Sequence, residues 1–477
     1  MRKRPAPALL RPSCHAMAGA VVRALLFGAG AHLFGALAIA AAPSAADDWP
    51  QWRGPLGTGV SPERNLPTEW SEETLAWSAE LTGTGVSSPV VAGERVVVTS
   101  QTGGDTRRPG RHPQLAREDA EVARAERALT APPESESIEF VVEAFHRDDG
   151  RRLWQHRMPA RGDLPAVHEK HNLATPSPIV DGDSVYAWFG TGQLVALSVA
   201  DGTVLWRRHL GEEVGAFEIN WGHGSSPALH GDHLFLLCYH DPRSVLLALD
   251  KRTGETRWQV TGPDESRSYS TPTPIETESG PQLVVNSTAG LHAYHPGTGE
   301  LLWSADGEHR FGVPVPSFVD GVLYASRGYR SGPYLALRPD GRGDVTDSHT
   351  LWRVDTGAPY VSSLVVYDGL LYMAADHGVV TAIDPATGER IWRERTGGIF
   401  SASPVAGDGK LYLMSETGAT FVYAAGRESE VLATNQIEGR IVATPAISDG
   451  RIFVRTDERL VAIGGRPGAE TPGEALE

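Results

Sequence analysis

His168, Glu169, His171 and Asn172 stand within five consecutive residues, and Glu218, Asn220, Trp221 and His223 within six. Imidazoles and carboxylates at such density can pass protons or hold a metal. The two histidines of the first group are three apart and lead into a strand, which departs from the helical zinc pattern. No metal site is predicted. Arg327 and Arg330 flank Tyr329, and with Arg243 they form a set able to grip a carboxylate or sulfate through bidentate hydrogen bonds. Tyr329 and Trp221 offer ring faces for a sugar or a quinone. His240, Asp241, Tyr269, Tyr360, Asp376 and His377 complete the chemically equipped positions. Glu218 and Asp376 are a carboxylate pair suited in kind to acid/base work. No Gly-x-Ser-x-Gly elbow sits in a strand-to-helix setting, and no phosphate-binding glycine loop opens a helix.

These residues fall into two classes of loop set by a repeat. Trp154, Trp206, Trp258, Trp303, Trp352 and Trp392 follow one another at spacings of 52, 52, 45, 49 and 40 residues, a period that marks propellers and solenoids. The clearest copy runs from Thr175 to Trp206. Ile179 and Val180 precede an Asp181-Gly182 turn, Val185 to Trp188 form a second apolar run, Leu194 to Leu197 a third, and Asp201-Gly202 leads to Leu205 and Trp206. Asp-Gly between short apolar runs reads as a hairpin, because glycine tolerates the positive φ of a tight turn. Each unit therefore supplies four strands.

Units begin at Ser87, Thr175, Ser225, Thr271, Val315, Ser362, Ser401 and Thr444. The seventh carries Leu432 where the tryptophan is expected, and the eighth stops near Ile463 without a fourth strand. Leu75, Ala76 and Trp77 form an orphan tryptophan strand at the other end of the chain. The expected fold is all-β, an eight-bladed propeller of four-stranded blades closed by the N-terminal strand around Trp77, since radial repetition protects strand edges. The tryptophans then pack between blades. A solenoid would not need the split last unit. In a propeller the lead-in segments and the second-to-third-strand loops share one face, a funnel over the axis. All the positions named above fall there, and function concentrates on loops held by a rigid scaffold.

Residues 1–46 read as a signal peptide: Arg2, Lys3, Arg4, Arg11 and Arg23 precede an apolar run from Ala24 to Ala42, with Ser44 and Ala46 before Asp47. Met17 is an alternative start, and an uncleaved anchor is the alternative to cleavage. Residues 47–74 are expected to pack on a propeller spanning 75–465, with 466–477 as a disordered tail. The formal charge is −16 overall, and the five basic and no acidic residues of the leader leave −21 for the remainder, which disfavours nucleic acid. Cys14 lies in the leader, so Cys238 stands alone without an intrachain disulfide partner; its strand position points to a buried inert thiol. Residues 102–137 interrupt the first unit. Within them Leu115, Val122 and Leu129 recur every seven residues, the pattern of a short amphipathic helix that can serve as a lid or a docking element, with a mobile charged excursion, especially across Pro132 to Ser137, as the alternative.

The segments Ala248, Leu249, Asp250, Thr253, Gly254, Glu255 and Trp258, and again Ala382, Ile383, Asp384, Thr387, Gly388, Glu389 and Trp392, resemble the pyrroloquinoline quinone (PQQ)-like propeller repeat. The likeness covers roughly residues 75 to 465. That family includes eight-bladed quinoprotein alcohol dehydrogenases and the outer-membrane assembly lipoprotein BamB, which binds no quinone. Asp48, Trp49, Pro50, Gln51, Trp52, Arg53, Gly54 and Pro55 resemble the opening of exported members of the group. The family's name records a shape, not a ligand. Its quinone users stack PQQ beneath a disulfide of adjacent cysteines, absent here, and BamB carries a lipidated cysteine after its signal, also absent from positions 43 to 60. The expectation is an exported, periplasmic or secreted, monomeric binding scaffold in the cell envelope. It has no membrane span after cleavage, no cofactor, and an envelope protein or small acidic ligand as partner. A PQQ- and calcium-dependent oxidoreductase is the first alternative, and a protein that binds or acts on acidic carbohydrates the second.

Overall fold

The computed structural model describes residues 48–104, 107–108, 138–162, 164–165, 167–217, 219, 221–240, 243–264, 266–307, 309, 312–329 and 331–465. The leader, the proposed insertion helix and the tail lie outside these residues. Eight sheets, each built on four antiparallel strands, form eight blades, and blade four carries a short fifth strand, Gly343–Asp344, along its outer edge. Blade two shows the plan, with strands Ile179–Asp181, Ser184–Trp188, Gln193–Ser198 and Val204–His209. The eighth sheet takes its outer strand, Leu75–Glu80, from the start of the ring and pairs it with Arg459–Ile463, so that Trp77 faces Ala462. Ring closure by the N-terminal strand is therefore real.

One register repeats through the ring. The fourth-strand tryptophan lies opposite an alanine of the third strand, as in Ala196–Trp206, Ala248–Trp258 and Ala382–Trp392, and a bulge follows at the next position. The small alanine leaves room for the indole, which then lies against the next blade. There the glycine of the third-to-fourth-strand turn is its seat: Gly254 has φ +73°, and a Cβ added to it would sit 2.7 Å from the Trp206 ring. The same turn accepts the indole's proton, since Trp206 Nε1 donates to the Lys251 carbonyl at 3.0 Å. Trp77, Trp154, Trp258, Trp352 and Trp392 each donate to the equivalent turn of the following blade. Tryptophan and Thr-Gly turn thus form one inter-blade joint, contributed by two blades.

Blade seven departs from this pattern. Val422 pairs with Ala433, so Ala433, not Leu432, occupies the tryptophan slot, and Leu432 is 36% exposed. The bulge moves the slot by one residue, which spacing alone cannot reveal. Trp70 supplies the missing indole: it lies buried in the same apolar cluster that Ala433 packs on, 6.5 Å from the Tyr412 ring, and its amide donates to Asn435.

The innermost strands are tied by hydroxyls. The Ser177 amide donates to Ser226 Oγ, the Ser226 amide to Thr271 Oγ1, the Ser363 amide to Ser403 Oγ and the Ser403 amide to Thr444 Oγ1, at 2.9–3.0 Å. Across the hairpin face runs the N-terminal segment. Trp49 bridges antiparallel to Val91 of blade one, the Pro50 carbonyl accepts from Val180 of blade two, and Val60 bridges parallel to Ala406 of blade seven. Arg53 (φ +64°) lies wholly buried mid-span, and Nη2 donates to Thr58 O at 2.7 Å and to Leu364 O of blade six. Without a carboxylate beside it, burial pushes this guanidinium down to about 9.

Candidate functional site

The lead-in segments of all eight blades surround an axial cavity of about 220 Å³. Valines such as Val86, Val313 and Val442 form its wall together with the small hydroxyl residues of the inner strands. His168, Lys170, His171, Trp221, Tyr269 and Tyr360 also line it, and Trp52 reaches it from the N-terminal segment. It is therefore an apolar cup with an aromatic and imidazole border.

A short segment, Val167 to Asn172, crosses from blade two to the far side of the ring. Lys170 Nζ meets Glu416 Oε1 of blade seven at 2.5 Å, and the same oxygen accepts from Ser401. Arg440, which leads into blade eight, donates to the Lys170 carbonyl at 3.3 Å and lies 3.8 Å from Asp457. Lys170 and Glu416 are both mostly shielded from water, so the attraction is stronger than for an open surface pair. The near end is fixed to blade three, because the His168 amide donates to the Trp221 carbonyl at 3.0 Å and His171 Nε2 donates to the same carbonyl at 2.6 Å. A carbonyl only accepts, so Nε2 carries the proton. Burial lowers the His171 pKa, which keeps the ring neutral. Asn172 Nδ2 donates to the Thr84 carbonyl at 2.8 Å, and its Oδ1 accepts from Ala174 N.

The other positions singled out from the sequence divide by what they touch. His223 and His240 are buried in an aromatic box: the His223 ring lies 4.3 Å from Trp188, and the His240 ring 4.1 Å from Phe217. Desolvation pushes His223 down to about 3 and His240 well below the ordinary imidazole range, so both stay neutral. Arg327 is fully buried between blades four and five. It donates to Asn286 Oδ1 and to the Ser287 carbonyl, with Nε 2.9 Å from Asp306. Asp376 accepts from the Tyr360 amide at 2.8 Å, and Tyr329 meets the edge of Tyr360 at 5.6 Å. Burial, then the neighbouring Tyr269, raises the Tyr360 phenol. Arg243 and His377 are exposed. Glu218, Asn220, Asp241 and Arg330 lie outside the described residues.

The geometry thus brings His168, His171, Trp221, Tyr269 and Tyr360 together at the cavity and sends His223, His240 and Arg327 into the joints between blades. Loop class identifies the face a residue is on, not whether its side chain turns to the axis or into a blade gap. Trp52 and Lys170 escaped the sequence reading. Trp52 stands in the Trp-Pro-Gln-Trp-Arg-Gly-Pro opening, outside the repeat, and Lys170 sits between two histidines that drew attention to themselves.

Among the described residues, no three His, Cys, Asp or Glu side chains gather in a metal-binding group. Cys238 is buried, and desolvation pushes its thiol up. No cysteine adjoins Cys238 in the sequence, so a quinone at this cavity would lack a cap of paired cysteines.

A closed eight-bladed propeller with an aromatic-rimmed axial cup defines the class, and comparison with known proteins gives the family. A family model described as outer membrane protein assembly factor BamB matches residues 139–308, 287–398 and 376–470. These spans cover more than two thirds of the chain, which belongs to this family of PQQ-like propellers. The outer membrane protein assembly factor BamB of Yersinia pestis is 21% identical over 254 residues, 51% of this chain and 58% of that protein. The chain thus spans little more than half the length of that curated relative. Among solved structures, quinohemoprotein alcohol dehydrogenase from Comamonas testosteroni superposes with a TM-score of 0.61 at 14% identity, covering 92% of this chain and 83% of that one. BamB from Moraxella catarrhalis superposes with a TM-score of 0.50 at 17% identity, covering 69% and 92%. At these identities the structural likeness shows the fold alone. No helix among the described residues is long and apolar enough to cross a membrane.

Proposed function

We propose that this protein is a non-catalytic binding scaffold of the cell envelope, exported by its N-terminal leader, whose axial cup and surrounding face receive a protein or small-molecule partner. The observation that carries this reading is the commitment of the titratable groups. His223 and His240 are held neutral between aromatic rings, Arg327 is consumed by the joint between blades four and five, and Asp376 positions the backbone of Tyr360. What borders the cavity is valine, aromatic ring, the small hydroxyls of the inner strands, the imidazoles of His168 and His171 and the ion-paired Lys170, a surface suited to recognition more than to bond making. A relative described as an outer membrane protein assembly factor supports an envelope setting.

The test is reconstitution of the purified full chain with PQQ and calcium, followed by absorbance and dye-linked alcohol oxidation. A binding scaffold shows no retained quinone band after gel filtration and no dye reduction above the buffer rate. Stoichiometric quinone retention with alcohol-dependent turnover overturns the reading in favour of an oxidoreductase.

A further inference from the structure

The hairpin face, opposite the axial cup's mouth, carries a larger groove of about 550 Å³ beside the N-terminal segment. Trp52 and Leu56 form one wall, while Leu229, Ile275, Phe318 and Val366 from the inner strands of blades three to six form the other. Leu56 is 78% exposed, the most exposed large hydrophobic residue of the described chain. Such a side chain on the rim of an apolar groove is costly to leave wet and marks an interaction surface.

The rim is acidic. Glu276 and Asp320 line the groove, and Glu278 follows Glu276 in the same hairpin turn. Glu276 meets His230 at 3.4 Å, whereas no ion pair engages Glu278 or Asp320 among the described residues. No lysine or arginine lines the groove. The Arg53 guanidinium next to Trp52 is wholly buried and bonded to backbone carbonyls, so it offers nothing at this surface.

The same face already holds extended chain. On blades one, two and seven the N-terminal segment is bonded to inner-strand backbone through Trp49–Val91, Pro50–Val180 and Val60–Ala406. On blades three, four and five no described segment does so. Pro227, Pro272, Pro274 and Pro316 remove amide donors along that stretch, so an occupant there is held by apolar side chains and charge more than by a backbone ladder. We propose that this groove docks an extended segment of a partner protein in which apolar residues alternate with lysine or arginine. The apolar side chains fill the floor, and the cations meet Glu276, Glu278 and Asp320. Trp52, Thr271 and Val315 line both this groove and the axial cup, whereas Leu56, Glu276 and Asp320 belong to the groove alone, so variants at these last three read the groove without touching the cup.

Fluorescence anisotropy with the full chain tests it, using a labelled eight-residue peptide of alternating lysine and leucine and a counterpart of alternating glutamate and leucine. The expected result is saturable one-to-one binding of the lysine peptide alone. Glu276→Gln, Glu278→Gln and Asp320→Asn combined weaken it about tenfold by loss of charge complementarity, and Leu56→Ser weakens it about threefold by loss of apolar burial. These are surface positions, and asparagine tolerates the positive φ of Asp320, so the fold is kept. The control pair Glu428→Gln and Glu430→Gln, on blade seven, leaves binding unchanged. Absence of saturable binding, binding indifferent to the groove variants, or equal weakening by the control pair overturns the proposal.

Discussion

At the joint between blades two and three, Trp206 lays its ring on Gly254, gives its proton to the Lys251 carbonyl and meets Tyr186 at 5.9 Å, while along the inner strands the Ser177 amide donates to Ser226 in the hydroxyl belt. At the joint between blades four and five every one of those parts is different. Trp303 donates to Gln282 Oε1 at 2.8 Å, and Gln282 Nε2 in turn donates to the Pro339 carbonyl at 2.7 Å, so a glutamine relays what the other indoles do directly. A fifth strand, Gly343–Asp344, runs parallel beside Trp303. The belt breaks because Val315 has no hydroxyl, and an ionic group replaces it: the shielded Asp306 lies between the buried Arg327 and the partly exposed Arg353, with Asn286 bonded to Arg327 and to the Pro314 and Ser326 carbonyls. The repeat therefore prescribes that the gap be filled and its polar groups satisfied, not which residues do it. An apolar joint gains from area removed from water, whereas an ionic one must offset the desolvation of its charges by complete pairing.

Removing one element from each joint sharpens this contrast. Trp206→Ala is expected to cost about 3 kcal/mol in urea unfolding, the low end for a large ring because Trp206 is only partly buried. Asp306→Ala is expected to cost a similar amount, about 3–5 kcal/mol, because it strands the Arg327 charge in a dry gap; the double variant Asp306→Ala with Arg327→Met recovers part of it. A loss below about 1 kcal/mol for Asp306→Ala would break the comparison by showing the charges to be idle.

Acidification separates the joints next. His223 stands beside Trp188 and Phe217 in the gap between blades two and three, with its pKa pushed down to about 3 from an unfolded value near 6.5. The unfolded chain binds the proton first, so the stability contribution is whole above about pH 6.5 and declines as pH falls toward 3. At pH 4.5 the decline from this one group is about 3 kcal/mol. His223→Phe is expected to flatten that part of the stability–pH curve, and an unchanged slope would show that the ring protonates in place. The smallest effect is expected from the belt: Ser226→Ala removes one hydroxyl acceptor and costs about 1 kcal/mol by thermal unfolding.

Much of this architecture is legible in the sequence because it is written several times. Trp206 or Gly254 alone says little, yet the same pair recurs at five of the joints and, with the hairpin turns between, fixes blade number, strand order and the closing role of Trp77. Residues that occur once are opaque for the same reason. Trp70 takes the seventh indole position from outside the repeat, and Leu432 lies beside the true slot at Ala433 because a bulge shifts the pairing by one. At the site, Trp221, Tyr269 and Tyr360 are found at the axis as their loop class implies, but His223 and Arg327 share that class and turn into blade gaps. The direction depends on neighbours such as Trp188 and Asp306, which are distant in the chain or have no repeat equivalent.

The stretch from Trp49 to Val60 acts as a tie rod of fixed length, anchored on one rim at Val91 and Val180 and on the other at Leu364 and Ala406. A wheel closed only at its circumference can gain or lose a spoke by duplicating a unit. This one cannot do so without refitting its crossbar, so a dozen residues that belong to none of the blades constrain how the ring can change.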